Sequence, residues 1–166
     1  MAGGIIAASE GYEFLTNELP GWAELLHPIV SGRMYTGRDS LALDYMTALR
    51  RVQQLWLRAE AQLADVDVLA TPTIPITPPI VSEVEDMEAY VAANMLTLSN
   101  TMAGNSLNLC GVTIPVGLDN AGMPVGLQLL AKLHDEETLL SVALAVEAKI
   151  GTPKERLGPS PLGGSN

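Results

Sequence analysis

The chain is poor in cysteine, aromatic residues and positive charge. Its single cysteine, Cys110, cannot form an intrachain disulfide, so a reducing, cytoplasmic setting is expected. Only 9 basic residues stand against 19 acidic ones, and the net charge of −10 disfavours nucleic acid as a partner. No apolar run reaches the roughly 18 residues of a membrane-spanning helix, and the first residues lack a signal-peptide pattern, so no membrane partner is expected.

What the chain does contain is enough aliphatic side chain for one domain. It has 166 residues, of which 48% are apolar and only 4% aromatic. The core must therefore consist of Leu, Val, Ile, Ala and Met.

Apolar periodicity predicts two helices in the first part of the chain. Residues 41–64 carry an apolar residue every three or four positions, from Tyr45 to Leu63. A shorter pattern covers residues 5–15, where the inward side chains are predicted to be Tyr12, Phe14 and Leu15. Gly32 and Gly37 are assigned to a polar connection between these helices.

Two further helices are predicted in the second part. One covers residues 82–102, with a Ser82–Glu85 capping box at its start and Gly104 at its end. The other covers residues 136–150 and stops at Gly151. Its predicted inward residues are Leu139, Leu140, Ala143, Val146 and Ile150.

Three short apolar segments predict strands. Residues 66–70 read as a buried strand that runs into a proline-rich connection. Residues 109–116 and 124–130 flank the turn cluster Asp119-Asn120-Ala121-Gly122 and predict a β-hairpin. The predicted fold class is α/β, with a short mixed sheet of about three strands packed by about three to four helices.

Few side chains could act as nucleophile or base. Ser106 and Cys110 are the candidate nucleophiles, and each needs a base within reach. The only histidines, His27 and His134, are far apart in sequence, and a cysteine in an apolar strand is ordinarily a packing residue. No metal, dinucleotide or phosphate-loop motif occurs. The pattern therefore predicts no catalytic residue, no metal site and no cofactor.

The hairpin region carries a sequence motif that apolar periodicity and turn residues alone do not account for. It reads NLCG at 108–111, IPVG at 114–117 and GMPVGLQL at 122–129, preceded by DVDVLATPT at 65–73. In this order the segments resemble the C-terminal part of the amidase signature family, and its allophanate-hydrolase-like members in particular. The resemblance spans nearly all of residues 7–150. The motif residues, interpreted as structural, are Asn108, Gly111, Pro115, Gly117, Gly122, Pro124, Gly126 and Gln128.

The resemblance implies a hydrolase of linear C–N amide bonds that uses a serine, a bridging cis-serine and a lysine. Those residues lie in a Gly/Ser-rich segment and on an upstream strand of the family, and neither has a counterpart in this sequence. Residues 1–156 therefore resemble roughly the last third of an amidase domain, which completes the sheet and one wall of the substrate pocket. Residues 157–166 are predicted to be a mobile tail.

The resemblance also places two residues, Thr101 and Asn105, at the pocket wall. An acidic ligand of amidotransferase subunits falls near Thr101, which is not acidic, and this argues against glutamine as the substrate. The favoured hypothesis has the missing N-terminal amidase portion as partner and a small amide as substrate of the full enzyme. The alternative is a non-catalytic module that self-associates or binds a partner. An independent hydrolase using Cys110 or Ser106 with a histidine is the least favoured.

Overall fold

The computed structural model describes residues 2–158, which divide into two compact units between Ala59 and Glu60. The helices of the described residues are α1 (Ala2–Asn17), α2 (Pro28–Tyr35), α3 (Ala42–Gln62), α4 (Met87–Leu98), α5 (Thr101–Ser106), α6 (Glu136–Ile150) and α7 (Pro153–Leu157). The strands are β1 (Leu69–Pro72), β2 (Cys110–Leu118) and β3 (Pro124–Ala131). Of the tail predicted to be mobile, residues 157–166, the part from position 159 onward lies outside the described residues. Leu157, at its start, is the last residue of α7.

The first unit is built on α1 and α2, which pack against each other. The rings of Tyr12 and Tyr35 are tilted and 5.8 Å apart between centroids. Phe14 is 50% exposed, so its predicted inward position is wrong. The polar connection predicted around Gly32 is also wrong, because Gly32 lies inside α2, whose first turn starts at Pro28. Proline is favoured there, since its missing N–H would have no helical partner.

Helix α3 confirms the helix predicted over residues 41–64. Val52 and Ala59 of the predicted stripe are buried, together with Ala48 beside it, whereas Trp56 of the same stripe is 36% exposed and its inward position is wrong. The Tyr45 hydroxyl donates to Glu10 Oε1 at 2.8 Å, which joins α3 to α1. This hydrogen bond is the largest cause of a raised pKa of Tyr45, because it favours the protonated phenol.

The second unit contains a three-stranded sheet in the order β1-β3-β2. The three predicted strands and the hairpin are confirmed. Both pairings are antiparallel, so the prediction of a mixed sheet is wrong for the described residues. β1 begins at Leu69, three residues later than predicted. Its end includes Pro72, which is tolerated because β1 is an edge strand.

Helix α6 covers one face of this sheet and forms the main core with it. Leu139 and Ala143 pack with Ile114, Leu129 and Ala131, all less than 9% exposed. The helix bounds agree with the prediction, but Leu140 is 53% exposed and its inward assignment is wrong. Consecutive helical residues point about 100° apart, and in α6 it is Leu139 that faces the sheet while Leu140 points away from it. Ile150, at the helix end, is also exposed.

The helix predicted over residues 82–102 is divided. Ser82 lies in a short 3-10 turn, and Asp86 is the N-cap of α4, since its Oδ1 accepts from the Ala89 N–H at 2.9 Å. The Ser82–Glu85 capping box is therefore wrong. After α4 the chain turns at Ser99-Asn100 and starts α5, so Thr101 opens a separate short helix. None of the described helices is both long enough and apolar enough to cross a membrane.

Candidate functional site

Helix α5 ends in a backbone motif centred on Asn108, which adopts a left-handed φ of +56°. The Leu109 N–H donates to the Gly104 carbonyl at 3.0 Å, and the Asn108 N–H donates to the Asn105 carbonyl at 3.4 Å. These are the two hydrogen bonds of a Schellman motif, and asparagine is one of the few residues that tolerates its left-handed position. Asn108 thus ends the helix and turns the chain directly into β2.

Gly104, predicted to end the helix, lies inside it and is buried. A Cβ at this position would lie 3.2 Å from Leu130 Cδ2 on β3. A Cβ at Gly111 on β2 would lie 2.9 Å from the same carbon atom. The two glycines therefore let α5 and β2 close around Leu130, which is only 5% exposed.

The two predicted pocket residues, Thr101 and Asn105, lie four positions apart on α5 and so share one helix face. Thr101 is half-buried, and its hydroxyl donates to the Leu98 carbonyl at 3.3 Å. Asn105 is exposed, and its carbonyl accepts from Asn108. The structure brings both residues together, and their role in lining a pocket stays a prediction.

A row of polar side chains crosses the sheet on the face opposite α6. Thr71 and Thr113 both lie directly opposite Gln128, one on each side of β3. Residues opposite each other in antiparallel strands point to the same face, so the three side chains form one row. Gln128 is 5% exposed, and neither its Oε1 nor Thr71 Oγ1 has a hydrogen-bond partner among the described residues. Buried polar atoms without a hydrogen-bond partner are rare in folded proteins, and this face of the sheet carries two of them.

Thr73 and Gly126 lie beside this row, and Thr113 reaches Thr73 diagonally from it. The hydroxyls of Thr73 and Thr113 are hydrogen-bonded at 3.1 Å, and the Thr73 N–H donates to the Gly126 carbonyl at 2.8 Å. A Cβ at Gly126 would lie 2.6 Å from Thr73 Oγ1 and 2.7 Å from Thr113 Cγ2. Gly126 therefore leaves the space in which the two threonines meet. Sequence reasoning missed these threonines, although Thr71 and Thr73 have the alternate spacing of one strand face.

The hairpin turn is organised by Asp119. Its Oδ1 accepts from the N–H groups of Ala121 and Met123, each at 2.9 Å, and its Oδ2 accepts from the Thr77 hydroxyl at 2.6 Å. The Gly122 N–H donates to the Asp119 carbonyl at 3.0 Å, and Gly122 has a φ of +77°. This is a turn followed by a left-handed residue, a common three-residue hairpin connection. Gly117, by contrast, has open space around its Cβ position and no positive φ.

These hydrogen bonds hold the pKa of Asp119 below its ordinary value, with the Thr77 hydroxyl as the largest cause and the backbone N–H of Met123 next. The carboxylate form is thus favoured by folding. The resulting stabilisation is complete above the unfolded pKa of about 3.9 and is lost as the pH falls through the lower folded pKa.

We expect Asp119→Asn to destabilise the second unit at neutral pH and to differ less from the parent chain below about pH 3. Urea unfolding measured over a pH series, with reaction of the single thiol of Cys110 as the signal, tests this. Thr77→Val should reproduce part of the effect, and Thr77→Ser, which keeps the hydroxyl, should not. An Asp119→Asn variant whose deficit is the same at every pH would contradict the assignment.

The candidate nucleophiles and bases have structural contacts. The Cys110 thiol is half-buried and donates to the Lys132 carbonyl at 3.2 Å. Ser106 is the last residue of α5. His27 is the N-cap of α2, where its Nδ1 accepts from the Ile29 N–H at 3.4 Å. His134 occupies a left-handed turn, φ +66°, just before α6. Within residues 2–158 no group of three or more His, Cys, Asp or Glu side chains could hold a metal ion.

The first unit contains one concave feature that sequence reasoning missed. It is an open recess of about 280 Å³, and its lining includes Tyr12, Leu15, Met34, Tyr35 and Glu24. The Thr16 and Ser31 hydroxyls at its wall donate to backbone carbonyls of their own helices. The recess is therefore lined mainly by apolar and aromatic side chains, with Glu24 as its charged group.

The architecture and motif define a family. The family model for amidase matches residues 17–140, and the chain belongs to this amidase family. Over 159 residues it is 37% identical to the 2-amino-5-chloromuconic acid deaminase of Comamonas testosteroni. That alignment covers 96% of this chain and 34% of the deaminase.

Solved structures show the same fold. An amidase crystal structure superposes with a TM-score of 0.75 at 23% identity, covering 90% of this chain and 35% of that one. An allophanate hydrolase from Kluyveromyces lactis superposes with a TM-score of 0.67 at 24% identity, covering 86% of this chain and 23% of that one. The chain thus spans about a third of the length of the deaminase and of the amidase.

Proposed function

We propose that this chain supplies the C-terminal third of an amidase that hydrolyses a linear C–N amide bond. In this proposal the chain completes the sheet and one wall of the substrate pocket, while a serine, a cis-serine and a lysine come from the N-terminal portion. The observation that carries the proposal is the match of 96% of this chain to only 34% of the deaminase. The substrate is a small amide bound in the complete enzyme.

The polar face of the sheet supports this role. One face is closed by α6 with apolar side chains, whereas the other presents Thr71, Gln128 and Thr113. Gln128 Nε2 lies 3.8 Å from the Cβ position of Gly104 on α5. Thr101 and Asn105 belong to that same helix. Polar groups converging on an otherwise apolar wall are the usual means of orienting a ligand. In this proposal α5 and the polar row form the pocket wall, and Gly104 and Asn108 fix the position of that helix.

The test is a chimera in which this chain replaces the matched segment of the Comamonas deaminase. We expect the chimera to retain the deaminase's own release of ammonia from 2-amino-5-chloromuconic acid, which reports that this chain completes a C–N hydrolase of the family. The 166-residue chain alone should hydrolyse neither that compound nor simple amides. The deaminase with the matched segment deleted is the matched control and should be inactive. Hydrolysis by the isolated chain that disappears in a Ser106→Ala or Cys110→Ala variant would contradict the proposal.

A second candidate function is a non-catalytic module that associates with itself. It is favoured by Leu140 and Leu144, which lie one turn apart on the outer side of α6 and are 53% and 66% exposed. Exposed apolar stripes of this kind mark interaction surfaces. Sedimentation of the chain over a wide concentration range separates the two functions, since this second one requires a dimer or larger species.

A further inference from the structure

The recess of the first unit is formed where one face of α1 meets one face of α2. On each helix the lining side chains are spaced three and four positions apart, so each set projects from a single face. These residues are Tyr12, Leu15 and Thr16 on α1, and Ser31, Met34 and Tyr35 on α2. Gly21, with a φ of +86°, turns the chain after α1, and the short 3-10 helix Trp22–Leu25 then contacts α1 and adds Glu24 to the lining.

The apolar part of the recess consists of two aromatic rings and a thioether. The rings of Tyr12 and Tyr35 lie at an interplanar angle of 57°, so they meet at an angle instead of stacking. The Met34 side chain reaches α1 because Gly11 has no side chain there, and a Cβ at Gly11 would lie 2.5 Å from Met34 Sδ. Tyrosine ring faces attract cations, and a thioether packs well against aromatic rings. This part of the lining therefore favours an aromatic body with a positive charge beside it.

The polar side chains of the recess are mainly hydrogen-bond acceptors. The Thr16 and Ser31 hydroxyls donate to carbonyls of their own helices at 2.7 and 3.2 Å, so each offers a ligand only its oxygen lone pairs. Glu24 adds an exposed carboxylate, which has no hydrogen-bond or ion-pair partner within the part of the chain that the structure describes. Among the lining side chains, only the two tyrosine hydroxyls remain able to donate.

No cation of the chain neutralises Glu24 within the described residues. The lining of the recess contains neither lysine nor arginine. Arg38, which interacts electrostatically with Tyr12 and Tyr35, is paired with Asp39 through Nε and Nη2 at 3.1 and 3.2 Å. An anionic ligand would therefore meet a carboxylate and oxygen lone pairs, whereas an ammonium group would meet acceptors and ring faces.

We propose that this recess binds a small primary ammonium ion that carries an aromatic body. Its volume of about 280 Å³ is near the lower end of ligand pockets, so the ligand is small. The ammonium group donates to the Glu24 carboxylate and to the hydroxyl oxygens, and the aromatic body packs against Tyr12, Met34 and Tyr35. The inference is independent of the proposed function, because the recess belongs to the first unit and uses neither α5 nor the polar row of the sheet.

Titration of the full 166-residue chain with phenethylammonium tests the proposal, with the isotope-labelled methyl group of Met34 as the NMR signal. We expect the Met34 resonance to shift with a dissociation constant on the order of 1 mM, as for a ligand of about nine non-hydrogen atoms. Two matched compounds, the neutral 2-phenylethanol and the anion 3-phenylpropionate, should bind about fivefold more weakly or worse. A Met34 methyl group that does not shift, or a neutral or anionic compound that binds as tightly, overturns the proposal.

A lysine side chain of a protein partner would offer an ammonium group without a ring. Butylammonium has this chemistry and should bind more weakly than phenethylammonium, because it cannot pack a ring against the two tyrosines and Met34. Equal or tighter binding of butylammonium overturns the aromatic body of the proposed ligand.

Variants of the lining separate a specific site from the general negative charge of the chain. Glu24→Gln should weaken phenethylammonium by roughly fivefold and leave 2-phenylethanol unchanged. Glu18→Gln is the matched control, because Glu18 is also exposed and lies outside the lining, and it should leave both dissociation constants unchanged. Tyr35→Leu should weaken phenethylammonium by about threefold, whereas Tyr35→Phe, which keeps the ring, should not. Equal effects of Glu24→Gln and Glu18→Gln overturn the proposal.

Discussion

Replacing Gly37 by alanine should destabilise the first unit by about 3 kcal/mol or more, at the upper end of overpacking effects. Gly37 is buried, and a Cβ there would overlap the Ala8 carbonyl oxygen and lie 2.6 Å from the Ser9 nitrogen. Both are backbone atoms of α1, so no side-chain rotation can relieve the clash. Either α1 or the turn after α2 must move to make room for the methyl group. The expected result is unfolding at a much lower denaturant concentration.

Gly32→Ala is the matched control, because it adds the same methyl group earlier in the same segment. Gly32 lies inside α2 with nothing within 4 Å of its Cβ position. Alanine should therefore stabilise the helix by roughly 0.5–1 kcal/mol, the opposite sign. Tryptophan fluorescence is the suitable signal, since the only two tryptophans, Trp22 and Trp56, both belong to the first unit. A Gly37→Ala chain as stable as the parent would show that α1 does not pass so close to this turn.

These two glycines show what the sequence could and could not predict. The sequence pattern placed both in a polar connection, because glycine suits a loop, a helix interior with open space and a close backbone contact alike. Only the packing of α1 beside Gly37 shows that this glycine is needed for a close backbone contact, whereas Gly32 has open space around it. Patterns that depend on one element alone were predicted well, such as the period of α3, the bounds of α6 and the Asp119–Gly122 turn.

The candidate site was predicted less completely for the same reason. The motif identified the family and included Gln128, but the polar row depends on the register that brings Thr71 and Thr113 beside it. Register is a relation between three strands, and β1 is far from the other two in sequence. The division of α4 from α5 at Ser99-Asn100 was also missed, as were the N-cap Asp86 and the terminating residue Asn108. Gly104 reads as a helix end in sequence, although its role is the contact with Leu130.

Gly126→Ala is expected to destabilise the second unit by about 2 kcal/mol. The added Cβ would meet Thr73 Oγ1 at 2.6 Å and Thr113 Cγ2 at 2.7 Å, on the central strand of the sheet. At least one threonine must leave its rotamer, and their hydroxyl–hydroxyl bond of 3.1 Å would be lost. The reactivity of Cys110 toward a thiol reagent under increasing urea reports on this unit alone, because Cys110 is the only cysteine and lies on β2.

A double-mutant cycle with Thr113→Ser identifies the cause. Serine keeps the hydroxyl that bonds Thr73 and removes the Cγ2 atom that lies 2.7 Å from the new Cβ. If the clash causes the loss, Gly126→Ala should cost less by at least about 0.5 kcal/mol in the Thr113→Ser background than in the parent. Gly117→Ala, on the neighbouring strand with open space around its Cβ position, should change stability little. Equal costs of Gly126→Ala in both backgrounds would assign the loss to Thr73, whose hydroxyl is the nearer atom, and Thr73→Ala would then relieve it in place of Thr113→Ser.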